Sequence, residues 1–185
     1  MRILTAIAIV VLLLYPLLVY IGMQWLEPRI LGVAIAAVYL TRLAFKVKQW
    51  WQRLMLLLGL VSFAGMIWWS NNELLLKFLP SLINLTMAAV FAYSVFYPPT
   101  IPARMAALEH PEGLPEVVVG YTLNVTWMWI GFFIINAAIA AATAVLATRA
   151  TWALYNGFIA YLFMGVLLGG EFAYRQLIFR KKHAL

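Results

Sequence analysis

The chain of 185 residues contains no cysteine and no aspartate, and only 10% of its residues are charged. The absence of cysteine excludes disulfide bonds, thiolate metal sites and cysteine nucleophiles. Hydrophobic residues make up 66% of the chain, whereas soluble domains contain roughly 45–50% apolar and about 25% charged residues. This composition excludes a water-soluble globular protein and predicts helices that lie in a membrane.

Six apolar stretches are long enough to cross a bilayer as helices, for which about 20 residues are needed. We therefore predict an all-α polytopic membrane protein, with six transmembrane helices in one bundle and a single transmembrane domain over residues 1–185. The first to sixth predicted spans are 3–23, 30–48, 51–69, 74–97, 122–147 and 152–174. The first span resembles a signal peptide at its start, but it continues to Met23 without a cleavage site, so we interpret it as a retained span.

The distribution of basic residues predicts the orientation of the spans. With the N-terminus in the cytoplasm, ten of the thirteen Lys and Arg residues lie on the cytoplasmic side, and only Arg29, Lys77 and Arg149 lie outside. Such a bias is typical of cytoplasmic loops, so we predict that both termini are cytoplasmic. The net charge of +7 is then a topology signal, and we expect no binding to nucleic acid.

The longest predicted connection is a cytoplasmic loop over residues 98–120. Thr100 is a good helix N-cap and Pro102 suits the first turn that follows it. The predicted short helix places Ile101, Met105 and Leu108 on one face, as in helices that lie at a membrane surface.

Small residues predict how the spans pack, because helices in lipid associate through close contacts between small side chains. The fifth span is rich in alanine between Ala137 and Ala144, and the sixth carries Gly165-x-x-x-Gly169. We expect these faces to pack within the bundle, and the same faces would suit a homodimer.

Four polar side chains within the spans form the candidate intramembrane polar site: Asn84, Asn136, Asn156 and Glu171. One interpretation is that the amides hydrogen-bond across helices and stabilise the bundle; the other is a site for a substrate or a lipid headgroup. Glu171 lies four residues before Arg175, a spacing that predicts an ion pair on one helix face.

The depths of the polar residues can be counted from the short outer connection near residues 148–151. Asn136 is about 12 residues deep and Asn156 about five, or roughly 18 and 8 Å along a helix. We therefore predict that they do not bond to each other, and that each has a partner from the fourth span or from a ligand. Lys77 lies near the outer surface, and we expect its ammonium to reach the headgroups.

No combination of residues points to catalysis. His110 and His183 lack the spacing of metal ligands, and the sequence contains no phosphate-binding glycine loop. We expect no catalytic residues, no metal, no cofactor and no enzymatic activity.

Several aromatic motifs resemble the bacterial intracellular septation protein A family, and in particular a related group of small inner-membrane proteins found near aryl-polyene and fatty-acid-type biosynthesis genes. The resemblance extends over residues 70–178, and the loop at 107–115 is longer than in the septation proteins. The motifs that carry it are Phe96-Tyr97-Pro98-Pro99-Thr100 with Arg104-Met105, Trp129-x-x-Phe132-Phe133-x-x-Asn136, Trp152-Ala153-Leu154-Tyr155-Asn156-Gly157 and Gly170-Glu171-Phe172.

The resemblance implies a non-enzymatic, multi-pass protein of the bacterial inner membrane that assists cell-envelope biogenesis, division or envelope-lipid pathways. Its expected partners are membrane lipids and membrane proteins of those pathways. The alternative is a small-molecule transport component, because six spans in about 180 residues resemble the substrate-binding subunits of energy-coupling-factor transporters. A membrane enzyme acting on lipid-linked substrates is a third hypothesis, which the lack of convergent acidic residues and histidines disfavours.

Overall fold

The computed structural model describes residues 72–108 and 112–183 as two continuous segments, together with 17–22, 24–27 and scattered positions from 30 to 69. The regular secondary structure of these residues is helical. The first three predicted spans lie largely outside the described residues. The count of six spans and the cytoplasmic position of both termini therefore remain predictions.

Three described helices are long and apolar enough to cross a membrane: Glu73–Phe96, Glu116–Leu146 and Arg149–Phe179. They coincide with the predicted fourth, fifth and sixth spans and keep those names below. At about 1.5 Å per residue, 24 and 31 residues correspond to about 36 and 46 Å, more than the roughly 30 Å of a hydrocarbon core. The chain is therefore a helical membrane protein, as its composition predicts.

The fifth span begins before its predicted start, and the sixth extends beyond both of its predicted ends. The fifth begins at Glu116 rather than at residue 122, and the amides of Val118 and Val119 donate to the Pro115 carbonyl at 2.9 and 3.1 Å. A hydropathy criterion misses these turns because helical hydrogen bonding continues into the polar region outside the hydrocarbon. An acidic side chain also suits the positive end of the helix dipole.

The fourth span is interrupted at Phe78, which separates Glu73–Lys77 from Leu79–Phe96. Pro80 explains the interruption, since proline lacks an amide hydrogen and its ring clashes with the carbonyl four residues earlier. The side-chain amide of Asn84 donates to the Pro80 carbonyl at 2.8 Å, so this carbonyl has a polar partner next to the break.

The predicted helix in the loop is present over Ile101–Ala106 and is called the loop helix below. Thr100 caps it, with the hydroxyl oxygen accepting a hydrogen bond from the Ala103 amide at 3.3 Å. Ser94, in the last turn of the fourth span, accepts from the Ile101 amide at 3.3 Å and connects the two helices. The chain then turns at Gly113, whose φ of 117° is rarely adopted by residues with a side chain.

The sixth span contains two π-helical turns, Tyr155–Ile159 and Arg175–Phe179. The first separates the α-helical pieces Arg149–Leu154 and Ala160–Tyr174, and the second is followed by the short helix Arg180–His183, just after the span. Such turns change the angular position of the residues that follow, and they are frequent at functional sites. Hydropathy, capping residues and proline positions do not predict either of these turns.

The contacts divide the chain into two compact units, residues 1–79 with 143–159 and residues 80–142 with 160–185. A core cluster in the first unit consists of Val19, Leu76, Ala144, Trp152 and Ala153. Buried residues of the second unit include Ala88, Ile130, Phe133, Ala137 and Ala140.

The small-residue faces behave differently from one another. Ala137, Ala140 and Ala144 of the fifth span are almost fully buried, as expected of a packing face. Gly165 and Gly169 of the sixth span are exposed, and a Cβ atom added at either position would meet nothing within 4 Å. The prediction that this glycine pair packs within the bundle is therefore wrong, because other positions of this helix are the buried ones: Trp152, Ala153, Tyr155, Asn156, Ala160 and Phe179.

Candidate functional site

Two of the predicted site residues form an amide pair in the second unit. The Asn136 side-chain amide donates to the Asn84 side-chain oxygen at 3.0 Å, and Asn84 donates in turn to the Pro80 carbonyl. Asn136 is 5% exposed. Of the two partners predicted for Asn136, a residue of the fourth span or a ligand, the structure shows the first, and this pair connects the fourth and fifth spans.

Ser81 adds a second hydrogen bond between the same two spans. Its hydroxyl donates to the Ala137 carbonyl at 2.9 Å, and both residues are buried. Sequence reasoning missed Ser81. Its position three residues before Asn84 places both side chains on one helix face, which was the available signal.

Asn156 belongs to the first unit and has other partners. Its side-chain amide donates to the Trp152 carbonyl at 2.9 Å and to the Thr143 hydroxyl at 3.3 Å. Asn136 and Asn156 therefore have separate partners, as predicted. The partner helix differs from the prediction, because Thr143 belongs to the fifth span, which runs antiparallel to the start of the sixth.

Charged side chains in the first unit form a network around Glu73. The Lys77 ammonium lies 3.0 Å from one carboxylate oxygen, and the Arg149 guanidinium lies 2.6 Å from the other. The side chain of Lys77 is only 6% exposed, and the indole of Trp152 donates to its carbonyl at 3.0 Å. The expectation that Lys77 extends to the headgroups is wrong, since the nearby carboxylate neutralises its charge within the protein.

Glu171, the fourth predicted site residue, has two partners in the second unit. The Arg175 Nε atom lies 3.3 Å from its Oε1 atom, which confirms the predicted ion pair. The Tyr121 hydroxyl donates to the same oxygen at 2.9 Å. The carboxylate is only 12% exposed and Arg175 is 30% exposed, so the pair lies at the edge of the protein interior.

Sequence reasoning missed Tyr121, although a signal was available. Counted from the connection at residues 147–148, Tyr121 lies about 26 residues back and Glu171 about 23 residues forward. Two antiparallel helices therefore bring these residues to nearly the same depth, within about 5 Å.

A cavity of about 570 Å³ opens next to this polar cluster, within the second unit. The fifth and sixth spans each present one helical face to it, with residues spaced three or four apart. The face of the fifth span consists of Val118, Tyr121, Thr122, Val125, Trp129 and Phe133; that of the sixth consists of Met164, Leu168, Glu171, Arg175 and Phe179. The cavity is also lined by Phe91 of the fourth span, by Ile101, Pro102, Met105 and Ala106 of the loop helix, and by Leu108 just after that helix.

The cavity has a polar end and an apolar end. Tyr121, Glu171 and Arg175 lie at the polar end, where the Phe179 ring stacks on Tyr121 with 4.2 Å between centroids. The apolar end is aromatic. Phe133 lies 5.4 Å from Phe91 and 5.6 Å from Trp129, measured between ring centroids.

These features suit a small amphipathic molecule. Ligand cavities typically measure about 300–1,000 Å³ and combine apolar walls with a few polar groups. Among residues 72–108 and 112–183, no group of three His, Cys, Asp or Glu side chains could hold a metal ion. The polar end offers hydrogen bonds and opposite charges rather than a coordination site.

The comparisons with known proteins do not identify relatives. No protein-family model matches the chain, and no match is found among curated proteins or solved structures.

Proposed function

We propose that this chain is a non-enzymatic protein of the bacterial inner membrane that binds a membrane-derived amphiphile and assists envelope biogenesis, division or envelope-lipid pathways. The observation that carries the proposal is the cavity of the second unit, with its aromatic end and its Tyr121–Glu171–Arg175 end. A lipid-like molecule has the same division into an apolar body and a polar head.

The packing of the surrounding helices supports a binding role. Most side chains of a membrane helix can face lipid without cost, so inward-facing aromatic side chains gain little from burial alone. Trp129 and Phe133 nevertheless face a shared space between helices. An apolar ligand chain in this space would make the dispersion contacts that an empty cavity forgoes.

The link to the envelope rests on the resemblance of residues 70–178 to the septation protein A family and to the group near aryl-polyene and fatty-acid-type biosynthesis genes. Membrane lipids are the first partners that this implies, followed by membrane proteins of the same pathways. The proposal includes no chemical step, because Glu171 is already engaged by Tyr121 and Arg175.

A transport component, similar to the substrate-binding subunits of energy-coupling-factor transporters, is the second candidate. The volume of the cavity favours it, since about 570 Å³ would also accommodate a small water-soluble molecule. The identity of the bound molecule distinguishes the two candidates: an amphiphile extracted from the membrane supports the first, and a water-soluble compound supports the second.

The test uses the full-length protein, purified in mild detergent and analysed by native mass spectrometry for bound small molecules. Leu168→Trp adds bulk at a position that lines the cavity, whereas Leu162→Trp makes the same change at a similarly exposed position of the same helix that does not line it. We expect a bound amphiphile in the unmodified protein and in Leu162→Trp, and its loss in Leu168→Trp. Equal occupancy in both variants, or no bound molecule in any sample, would contradict the proposal.

A further inference from the structure

We infer that the cavity selects an amphiphile whose polar head carries no net charge, with its apolar chain directed along the fifth span towards Phe133. This inference rests on the proposed function and specifies the class of ligand. Uncharged heads and zwitterionic heads share the absence of a net charge. The experiment below measures the binding of one ligand of each kind.

The direction of the ligand follows from the order of residues along the fifth span. Trp129 lies eight residues beyond Tyr121, and Phe133 lies twelve beyond it, which is about 12 and 18 Å along a helix. The side chain of Thr122, also in the lining, donates to the Val119 carbonyl at 2.9 Å. The polar atoms of the lining are concentrated near Tyr121, so the polar head of a ligand finds hydrogen-bond partners there. Its apolar chain then lies towards the aromatic end, where it leaves no polar group without a partner.

The charge of the head follows from Glu171 and Arg175, the charged side chains among the described residues of the lining. Glu171 and Arg175 have opposite charges and lie 3.3 Å apart, so together they contribute no net charge. An anionic head would compete with Glu171 for the guanidinium, and a cationic head would compete with Arg175 for the carboxylate. Either head leaves one excess charge in a poorly solvated place, which is unfavourable.

A head without net charge avoids this excess. An uncharged head hydrogen-bonds beside the intact ion pair. A zwitterionic head places its anion near Arg175 and its cation near Glu171, which replaces one ion pair by two. Arg104 of the loop helix carries its charge outside the lining, on an exposed side chain where solvent screens it. Its Nε atom donates to the Pro99 carbonyl at 2.9 Å.

The experiment measures the binding of four ligands that share a sixteen-carbon chain: a monoacylglycerol, a lysophosphatidylethanolamine, palmitate and hexadecylamine. Binding to the full-length protein is followed by displacement of a bromine-labelled monoacylglycerol that quenches Trp129, with Trp129→Phe as the background for the other tryptophans. We expect the first two ligands to bind at least about tenfold more tightly than the two charged ones. Equal or tighter binding of either charged ligand would overturn the inference.

Charge variants test whether Glu171 and Arg175 cause the selectivity. Glu171→Gln leaves a positive lining and is expected to shift the preference towards palmitate, and Arg175→Gln is expected to shift it towards hexadecylamine. Glu116→Gln and Arg104→Gln are matched controls, because they make the same charge changes at exposed positions outside the lining. The double variant Glu171→Gln/Arg175→Gln restores neutrality and is expected to regain the preference for heads without net charge.

The outcomes distinguish this inference from the proposed function. In one outcome the ligands bind and Leu168→Trp weakens the binding of all of them, but the charge variants leave the order of affinities unchanged. The inference then fails and the proposed binding role stands. If no ligand binds and Leu168→Trp has no effect on any bound molecule, both fail. If the preferred head group changes with the sign of the net charge that each variant leaves in the lining, the result supports both the inference and the proposed function.

Discussion

At the scale of single residues, the buried polar side chains that the structure describes are paired with specific partners. The Asn136–Asn84 pair, the Ser81 hydroxyl and the Glu73 network each connect elements that are distant in the sequence. In a membrane, such groups have little access to water, so each partner determines whether the neighbouring group is satisfied. The alternative of a substrate site for the amides is therefore unnecessary to explain Asn136.

Asn136→Ala tests the structural role of the amide pair. The substitution removes the donor to Asn84, and we expect a loss of about 0.6–2 kcal/mol of stability. The measurement is thermal unfolding of the purified protein in detergent. The matched control is Asn124→Ala on the same span, because Asn124 is exposed, and this variant should unfold close to the temperature of the unmodified protein.

The double variant Asn84→Ala/Asn136→Ala provides a further check on the pair. Residues that interact directly give non-additive effects, so the double variant should lose less stability than the sum of the two single variants. Strict additivity would show that Asn84 and Asn136 contribute independently, in disagreement with their 3.0 Å hydrogen bond.

At the scale of elements, helix ends and interruptions follow local chemistry. Thr100 and Thr148 cap their helices in the same manner, with hydroxyl oxygens accepting from the amides of Ala103 and Thr151 at 3.3 and 3.2 Å. Pro80 interrupts the fourth span for an equally local reason. These features depend on residues within one or two turns, which is why the sequence predicts the loop helix correctly.

Thr100→Ala and Thr148→Ala form a matched pair, since each should remove about 1 kcal/mol of helix stability. Only Thr100 caps the loop helix, whose residues Ile101 and Met105 line the cavity. We expect Thr100→Ala to increase amide hydrogen exchange over residues 101–106 and to weaken amphiphile binding, whereas Thr148→Ala should leave that binding unchanged. Identical amphiphile binding in the two variants would show that the loop helix does not contribute to the binding site.

At the scale of the whole molecule, the distribution of basic residues and the number of spans together predict the orientation in the membrane. The fifth and sixth spans are each long enough to cross the bilayer. If both cross it, the loop that precedes the fifth span and the C-terminal end of the sixth lie on the same side of the membrane, which is the arrangement that we predict. The basic cluster Arg180-Lys181-Lys182 favours the cytoplasm for that side.

Reporter fusions test this orientation. A reporter placed after Gly113 and one placed after Leu185 should both show cytoplasmic activity, and one inserted in the connection at residues 147–148 should show periplasmic activity. The expected pattern follows from the ten-to-three distribution of basic residues. A periplasmic signal at Leu185 would refute the topology, and opposite signals at Gly113 and Leu185 would show that one of the two helices does not cross.

The amino-acid sequence by itself determined the membrane environment, the positions of the fourth to sixth spans, the loop helix and the Glu171–Arg175 pair. All of these depend on composition or on residues a few positions apart. Only the tertiary structure decided that Tyr121 meets Glu171, that Asn84 meets Asn136 and that a cavity lies between aromatic faces. The physical reason is that these spans are apolar on all sides, so hydrophobicity does not indicate which face turns inward. Rotation and register are then set by packing, hydrogen bonds and the two π-helical turns.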